Sequence, residues 1–314
     1  MTAYLIRRLL QSVVTVFMVT VISFGLMQLL PGGPVRAILG SHATPTTIAQ
    51  LTHQMGLDRP VYVQYWNWLD GLLHGNLGFD YVQERPVSDL LFNALGASAF
   101  IVGAALILAL LIAVPVGMVQ AIKRNSALDH GFTVFSFVAY GIPTFFIGFL
   151  IQQWFEDDLK WVSVQNQVST FGDALSNPEA VVLPIVTLTL TAVAGYSRYM
   201  RSGVLDQITQ EYVRTAKAKG ASSRRTLYAH VLRNALIPMA TLIGLSLPNL
   251  VGGALIVEYV FNIQGIGLLT TRAAQQNDYS ITLAATLLTA VVTAIGSLLA
   301  DLSYAVLDPR VRLT

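Results

Sequence analysis

Six long stretches almost free of charge set the terms for this chain: residues 9–30, 90–120, 131–151, 180–195, 236–257 and 281–300. A helix crossing the hydrocarbon core of a bilayer needs roughly 20 apolar residues, because no water is there to satisfy a broken backbone hydrogen bond. All but the fourth stretch reach that length. Only 11% of the residues are charged, against about 25% in soluble domains. The expectation is an all-α polytopic membrane protein with six transmembrane helices. Arg7 and Arg8 precede the first stretch as they would in a signal peptide. A signal's apolar region runs about 7–15 residues, however, and ends at a small-residue cleavage site. This stretch is longer and ends in Leu29-Leu30-Pro31-Gly32-Gly33, so a retained helix is expected.

Basic residues orient the spans, since cytoplasmic loops collect Lys and Arg. With the N-terminus inside, fourteen cations fall on the cytoplasmic side, among them Arg198 and Arg201, and five on the other: Arg36, Arg59, Arg85, Lys160 and Arg272. Six spans then leave both termini cytoplasmic. The net charge of +2 is too small to point to nucleic acid; the surroundings implied are a lipid bilayer. The chain divides into an N-terminal span (1–30), an extracytoplasmic segment (31–89) and a five-span core (90–314), all one transmembrane domain.

In the 31–89 segment, Thr44-Pro45 reads as a helix cap followed by proline at the first helical position, and Gly56 as a helix stop. Pro60 opens a second helix. Its Tyr62, Tyr65, Trp66 and Trp68 suit headgroup depth, either as helices lying on the bilayer face or as a docking surface for an external partner. The 258–280 segment is punctuated by Gly265 and Gly267, as a plain loop or a re-entrant piece. Of the prolines beside spans, Pro143 in Tyr140-Gly141-Ile142-Pro143 and Pro248-Asn249 in the fifth stretch are candidates for pore geometry. Tyr140, Pro143, Asn249 and Glu258 are the residues expected along a translocation pathway.

Several chemistries are excluded. There is no Cys, hence no disulfide or thiolate. A phosphate-binding P-loop needs Lys followed by Ser or Thr; Lys123, Lys160, Lys217 and Lys219 are followed by Arg, Trp, Ala and Gly. His42, His53, His74, His130 and His230 are scattered without metal-ligand spacing. Ion-coupled carriers hold ionisable groups in mid-membrane, and the six stretches contain none; Asp301 only borders the last. No catalytic residue, metal site or bound cofactor is expected.

One polar interruption remains, residues 211–238. With Arg198 and Arg201 it gathers eight of the nineteen Lys and Arg residues. Leu205, Ile208, Tyr212 and Ala216 recur at helical spacing and predict one amphipathic helix. Gly220 ends it in a left-handed conformation, and Ser222 or Ser223 caps a second helix striped by Leu227, Val231 and Ala235. Arg224 and Arg225 fall in that helix's first turn, where the dipole disfavours cations, which points to an external anionic partner or to lipid headgroups.

Glu211-Tyr212-Val213-Arg214-Thr215-Ala216-Lys217-Ala218-Lys219-Gly220 resembles the cytoplasmic EAA loop of bacterial ABC importer permeases. The continuation through Arg233, Asn234 and Pro238 is similar to its form in the peptide and nickel uptake family. Arg214 stands at a usually acidic position and Arg233 where proline is usual, as that form tends to have them. Weaker likenesses extend over most of the chain: Leu29 to Pro34 (with Gly33 where Asp is common), Gly56 to Pro60, Glu258 with Phe261, Gly265 and Gly267 (Gln264 replacing a frequent Pro), and Leu307 to Arg310.

The resemblance implies a type I ABC importer permease in a bacterial cytoplasmic membrane. Its partners would be a second homologous permease, two ABC ATPase subunits carrying the ATP and Mg, and an extracytoplasmic peptide-binding protein. The loop, 198–235, would be the ATPase-coupling surface, with Glu211, Arg214, Thr215, Ala216, Ala218, Gly220, Arg224, Arg225, Arg233, Asn234 and Pro238 as its residues. Short peptides are the implied substrate. Nickel or glutathione in the same family is the alternative, and an ion-coupled carrier or channel subunit the alternative of another class.

Overall fold

The computed structural model describes residues 2–29, 35, 39, 44–80, 83–162, 167–246, 254–276 and 278–307. The described chain is almost entirely helical. Helix α1 (Thr2–Gln28) is followed by two short helices, α2 (Pro45–Gln54) and α3 (Val61–Leu73). A two-residue hairpin, β1 (Phe79–Asp80) against β2 (Arg85–Pro86), then leads into the long α4 (Val87–Ile122). Helices α5 (Ala127–Gly141), α6 (Thr144–Gln152), α7 (Phe171–Ser176) and α8 (Pro178–Ile208) follow.

The centre of the molecule is the α4–α8 pair. On α4, Ala97, Ile101, Ala105, Ala109, Ala113, Gly117 and Ala121 recur every four residues and all are buried. A ridge of small side chains lets two backbones approach closely, which is how helices associate in lipid. At Gly117 a Cβ would stand 2.7 Å from the Ser197 carbonyl oxygen and from the Met200 side chain of α8. The fourth apolar stretch is thus only part of its helix, which continues through Arg198 and Arg201.

The third stretch is not one straight span. Helices α5 and α6 meet at 97°. Pro143 excludes helical geometry from the residue before it, and Ile142 is extended at φ −82°, ψ 131°. Pro143 therefore ends α5 and starts α6, whose end widens into a π-helical turn over Gln153–Asp158. Among the described residues, α1, α4, α8 and the last helix, α13 (Tyr279–Leu307), are long and apolar enough to span, and the α5–α6 pair makes a fifth. The fifth apolar stretch is helical over its first half, α10 (Arg233–Ser246), before residues outside the described set; α11 (Leu255–Val260) and α12 (Ile266–Gln275) follow them. Asn249 lies outside the described residues, as do Pro248, most of 30–43 and 308–314.

Helix α1 packs along α13 and, near its C-terminal end, against α3. Thr20 is buried and shares a 2.9 Å hydrogen bond with the Tyr65 hydroxyl. Phe24 packs on Tyr65 and Trp68, at 5.4 and 5.6 Å between ring centres. Tyr62 and Trp66 face outward. Helix α3 thus holds the first span with one side and offers aromatic rings with the other. Helix α2 begins as its sequence predicts, with the Thr44 hydroxyl accepting from the Thr47 amide and Pro45 at the first position.

Candidate coupling and translocation sites

Helix α9 (Glu211–Ala218) and the turn Ser223–Arg225 form the two arms of the polar interruption. Gly220 adopts φ +82°, and its amide donates to the Lys217 carbonyl (2.9 Å) while the Ala221 amide donates to the Ala216 carbonyl (3.1 Å). This pair of bonds closes the helix with a left-handed residue, the role for which glycine is suited. The Ser222 hydroxyl then accepts from the Arg225 amide at 3.3 Å. The second arm continues through a π-helical stretch, Thr226–Leu232, into α10. Pro238 lies within α10, where it removes an N–H that would bond one turn back.

The predicted single helix before Gly220 is two. Helix α8 ends at Ile208, and Gln210 is extended at ψ 150°. The Thr209 hydroxyl and the Gln210 side-chain Nε2 both donate to the Asp206 carbonyl, at 3.1 and 3.2 Å, which competes with helix continuation. The apolar residues on both sides still serve one core. Val213, Val231 and Ala235 are buried with Met118, Ala121, Met200 and Val204 from the ends of α4 and α8.

The cations point the other way. Arg214, Lys217, Lys219, Arg224, Arg225 and Arg233 are exposed, as are Thr215, Ala218, Gly220 and Pro238; Ala216 and Asn234 are half-buried. Arg214 pairs with Glu211 at 2.7 Å, both largely in solvent, so this contact orients the side chains more than it stabilises them. Between the arms lies an open cavity of about 510 Å³ lined by Tyr212, Thr215, Ala216, Lys219, Gly220, Ala221, Arg225 and His230. The arrangement is a cationic prominence, rigidly rooted in the helical core, with a notch at its glycine turn.

A clasp that the sequence reading did not anticipate joins this end of the molecule. The Arg201 guanidinium donates from Nε and a terminal nitrogen to the two Asp129 carboxylate oxygens, at 2.8 and 2.9 Å. Asp129 also accepts from the Asn125 amide, and its own amide donates to the Ser126 hydroxyl that caps α5. Ser126 with Asp129 in the following turn signals the cap of α5; the pairing with Arg201 depends on how α8 packs against it.

The pathway residues separate into two groups. Tyr140 and Pro143 are exposed at the α5–α6 bend. Tyr140 lines a cavity of about 400 Å³ whose polar groups are uncharged, including Thr144, Thr191, Tyr196 and Ser246. Glu258, the third expected pathway residue within the described set, is 3% exposed, with its carboxylate engaged inside the bundle. Its carboxylate accepts from the Ser98 hydroxyl (2.7 Å) and from the Ala254 and Leu268 amides (3.1 and 2.9 Å). Ser98 in turn accepts from the Ile266 amide at 2.8 Å. The carboxylate therefore caps α12, whose amides welcome negative charge. Gly265 is glycine because a Cβ there would occupy the place of the Glu258 carboxyl.

At the end of the molecule away from the prominence, Asp80 of the hairpin is fully buried and hydrogen-bonds Asp278, which caps α13 by accepting from the Ile281 amide at 3.2 Å. Burial, and the neighbouring Asp80 carboxyl, push the Asp278 carboxyl up to about 6.

Comparison with known proteins adds the remaining findings. Residues 113–313 match the family described as binding-protein-dependent transport system inner membrane component, and residues 1–95 match that family's N-terminal region. The chain is 35% identical to the oligopeptide transport system permease protein AppB of Bacillus subtilis, over 99% of each chain. It is 37% identical to a peptide permease protein of Brucella suis over the whole of both chains. It is 33% identical to the glutathione transport system permease protein GsiC of Salmonella typhimurium, over 99% of each.

Proposed function

The chain belongs to the family of binding-protein-dependent transport system inner membrane components, and from that premise we propose that it is the permease subunit of an ATP-driven importer of short peptides. The names of its relatives support the substrate: an oligopeptide, a peptide and a glutathione system share one chemistry, since glutathione is itself a tripeptide. The permease lies in a bacterial cytoplasmic membrane with both termini inside, as the basic residues argue. It is not itself an enzyme and binds no cofactor; ATP and Mg belong to two partner ATPases. A second homologous permease and an extracytoplasmic peptide-binding protein complete the assembly.

The observation that carries this reading is the prominence around Gly220. Its apolar side is buried with the ends of α4 and α8, so a force applied to its cationic side reaches the two central helices directly. An ATPase that contacts the two permease states differently can drive their exchange only through a part that moves with the core. Arg214, Arg224 and Arg225 are positioned for acidic groups of that partner, and the notch at Gly220 for a protruding side chain.

The test is uptake by the complete complex, reconstituted in vesicles with its binding protein. Labelled di-, tri- and pentapeptides should accumulate only with ATP, and unlabelled peptides should compete better than nickel. Uptake that persists without the ATPases would instead support an ion-coupled carrier. Competition by nickel or glutathione but not by other peptides would move the substrate to those siblings.

A further inference from the structure

Arg198 stands one turn before Arg201 on α8, yet among the described residues it has no carboxylate partner; both oxygens of Asp129 are taken by Arg201. Its guanidinium lies instead over two aromatic rings of α5, 4.8 Å from the centre of Phe137 and 5.7 Å from that of Tyr140. The two rings are three residues apart, hence neighbours on one helix face, and they are 59% and 68% exposed. Helical side chains lean toward their own N-terminus. Arg198 therefore reaches away from the coupling prominence and into the span, to the level of the α5–α6 bend.

A cation at that depth is costly against lipid tails, and such residues face a bundle interior or a water-filled path. The neighbours agree with a path: Tyr140 also borders the cavity whose polar groups are the hydroxyls of Thr144, Thr191, Tyr196 and Ser246. A guanidinium held over ring faces makes no hydrogen bond to them, so its N–H groups stay available, and its fork matches a carboxylate with two parallel hydrogen bonds. We propose that Arg198, seated on Phe137 and Tyr140, is an anion subsite of the translocation path that receives the terminal carboxylate of the passing peptide. The inference rests on the peptide-importer reading and names the part of the substrate that the permease holds. Because the guanidinium stays exposed, the hold is loose, as a path that must also release its cargo requires.

The experiment compares ATP-driven uptake of one labelled tripeptide, as free acid and as C-terminal amide, by the complete complex. The unmodified complex should prefer the free acid. Arg198→Gln should lower uptake efficiency of the free acid by about tenfold, the scale of one charge-assisted hydrogen-bonded pair, while changing that of the amide by less than about twofold. Arg198→Lys keeps the charge but not the fork and should retain part of the preference. Phe137→Leu should weaken it with the arginine in place, which serves if Arg198→Gln does not assemble, as judged by recovery of the intact complex. Equal loss for acid and amide, or none, overturns the proposal; an equal loss that follows the anionic lipid content of the vesicles would assign Arg198 to a lipid headgroup. An unmodified complex that hydrolyses ATP but takes up neither peptide would bring down the substrate reading itself, a result distinct from peptide uptake indifferent to Arg198.

Discussion

Arg201 of α8 and Asp129 of α5 form a two-pronged ion pair, with an Asp129 side chain that is 3% exposed and an Arg201 side chain that is 28% exposed. It fixes α8 against the start of α5 at the end of the bundle where the prominence begins. Removing one partner leaves the other charge buried and unmatched. Asp129→Asn or Arg201→Gln should each destabilise the protein by about 3 kcal/mol, read as thermal unfolding in detergent. The double variant should cost clearly less than the sum of the single changes. An additive result would mean that the two residues act independently.

The Glu258 carboxylate links Ser98 of α4 to the amides that begin α12, so one side chain ties together segments distant in sequence. Glu258→Gln replaces an acceptor oxygen by a donor that must face an amide N–H, and should cost about 1–3 kcal/mol. Gly265→Ala should cost at least as much, because its methyl group meets the carboxyl directly. Combining Gly265→Ala with Glu258→Ala should recover part of the glycine variant's loss. No recovery would place the constraint on Gly265 elsewhere.

At Gly220 the constraint is of another kind. A Cβ would meet nothing within 4 Å, so the cost of substitution comes from φ +82° alone. Gly220→Ala should lower stability of the isolated permease by about 1 kcal/mol, and Gly220→Asn by less, since asparagine tolerates the left-handed region. Gly220→Val adds bulk and a branched Cβ. If the notch receives an ATPase side chain, Gly220→Asn should already reduce ATP-coupled uptake severalfold in the complete complex while the isolated permease stays near its original melting temperature. Normal coupling in Gly220→Asn would remove the notch from the contact.

What could be read from the sequence was what neighbours in the chain decide. The glycine turn at Gly220, the Ser222 cap and the burial of Val231 and Ala235 depend on residues a few positions apart. The break at Thr209-Gln210 leaves no mark in the apolar period, which runs through it from Leu205 to Ala216; hydrogen bonds to the Asp206 carbonyl interrupt the helix there. Pro143 was visible, but the 97° bend also needed Ile142 to be extended. Glu258 looked like an acid at the edge of a span; that its partner is Ser98 is a property of the folded bundle. Arg198 was counted only as one of the cytoplasmic cations, since its place over Phe137 and Tyr140 depends on how α8 packs against α5.

The Asp80–Asp278 contact gives stability a pH dependence with a definite sign. Burial, with the Asp80 carboxyl beside it, pushes the Asp278 carboxyl up to about 6, above the ordinary aspartate range near 4. The folded state therefore binds its proton more tightly, and the stabilisation is fully present below about pH 4. It is lost as pH rises from about 4 through 6, where the unfolded chain ionises Asp278 and the folded chain must form that charge in a buried setting. Other carboxylates contribute their own acid-range terms, so the informative quantity is the difference between two proteins. Relative to the unmodified chain, Asp278→Asn should show little change in melting temperature below about pH 4 and a gain that grows up to about pH 6 and persists at pH 7.5, because it removes the charge while an amide oxygen can still cap α13. A difference that does not vary between these pH values would mean that Asp278 titrates normally and that the hairpin is not held to the last span by a shared proton.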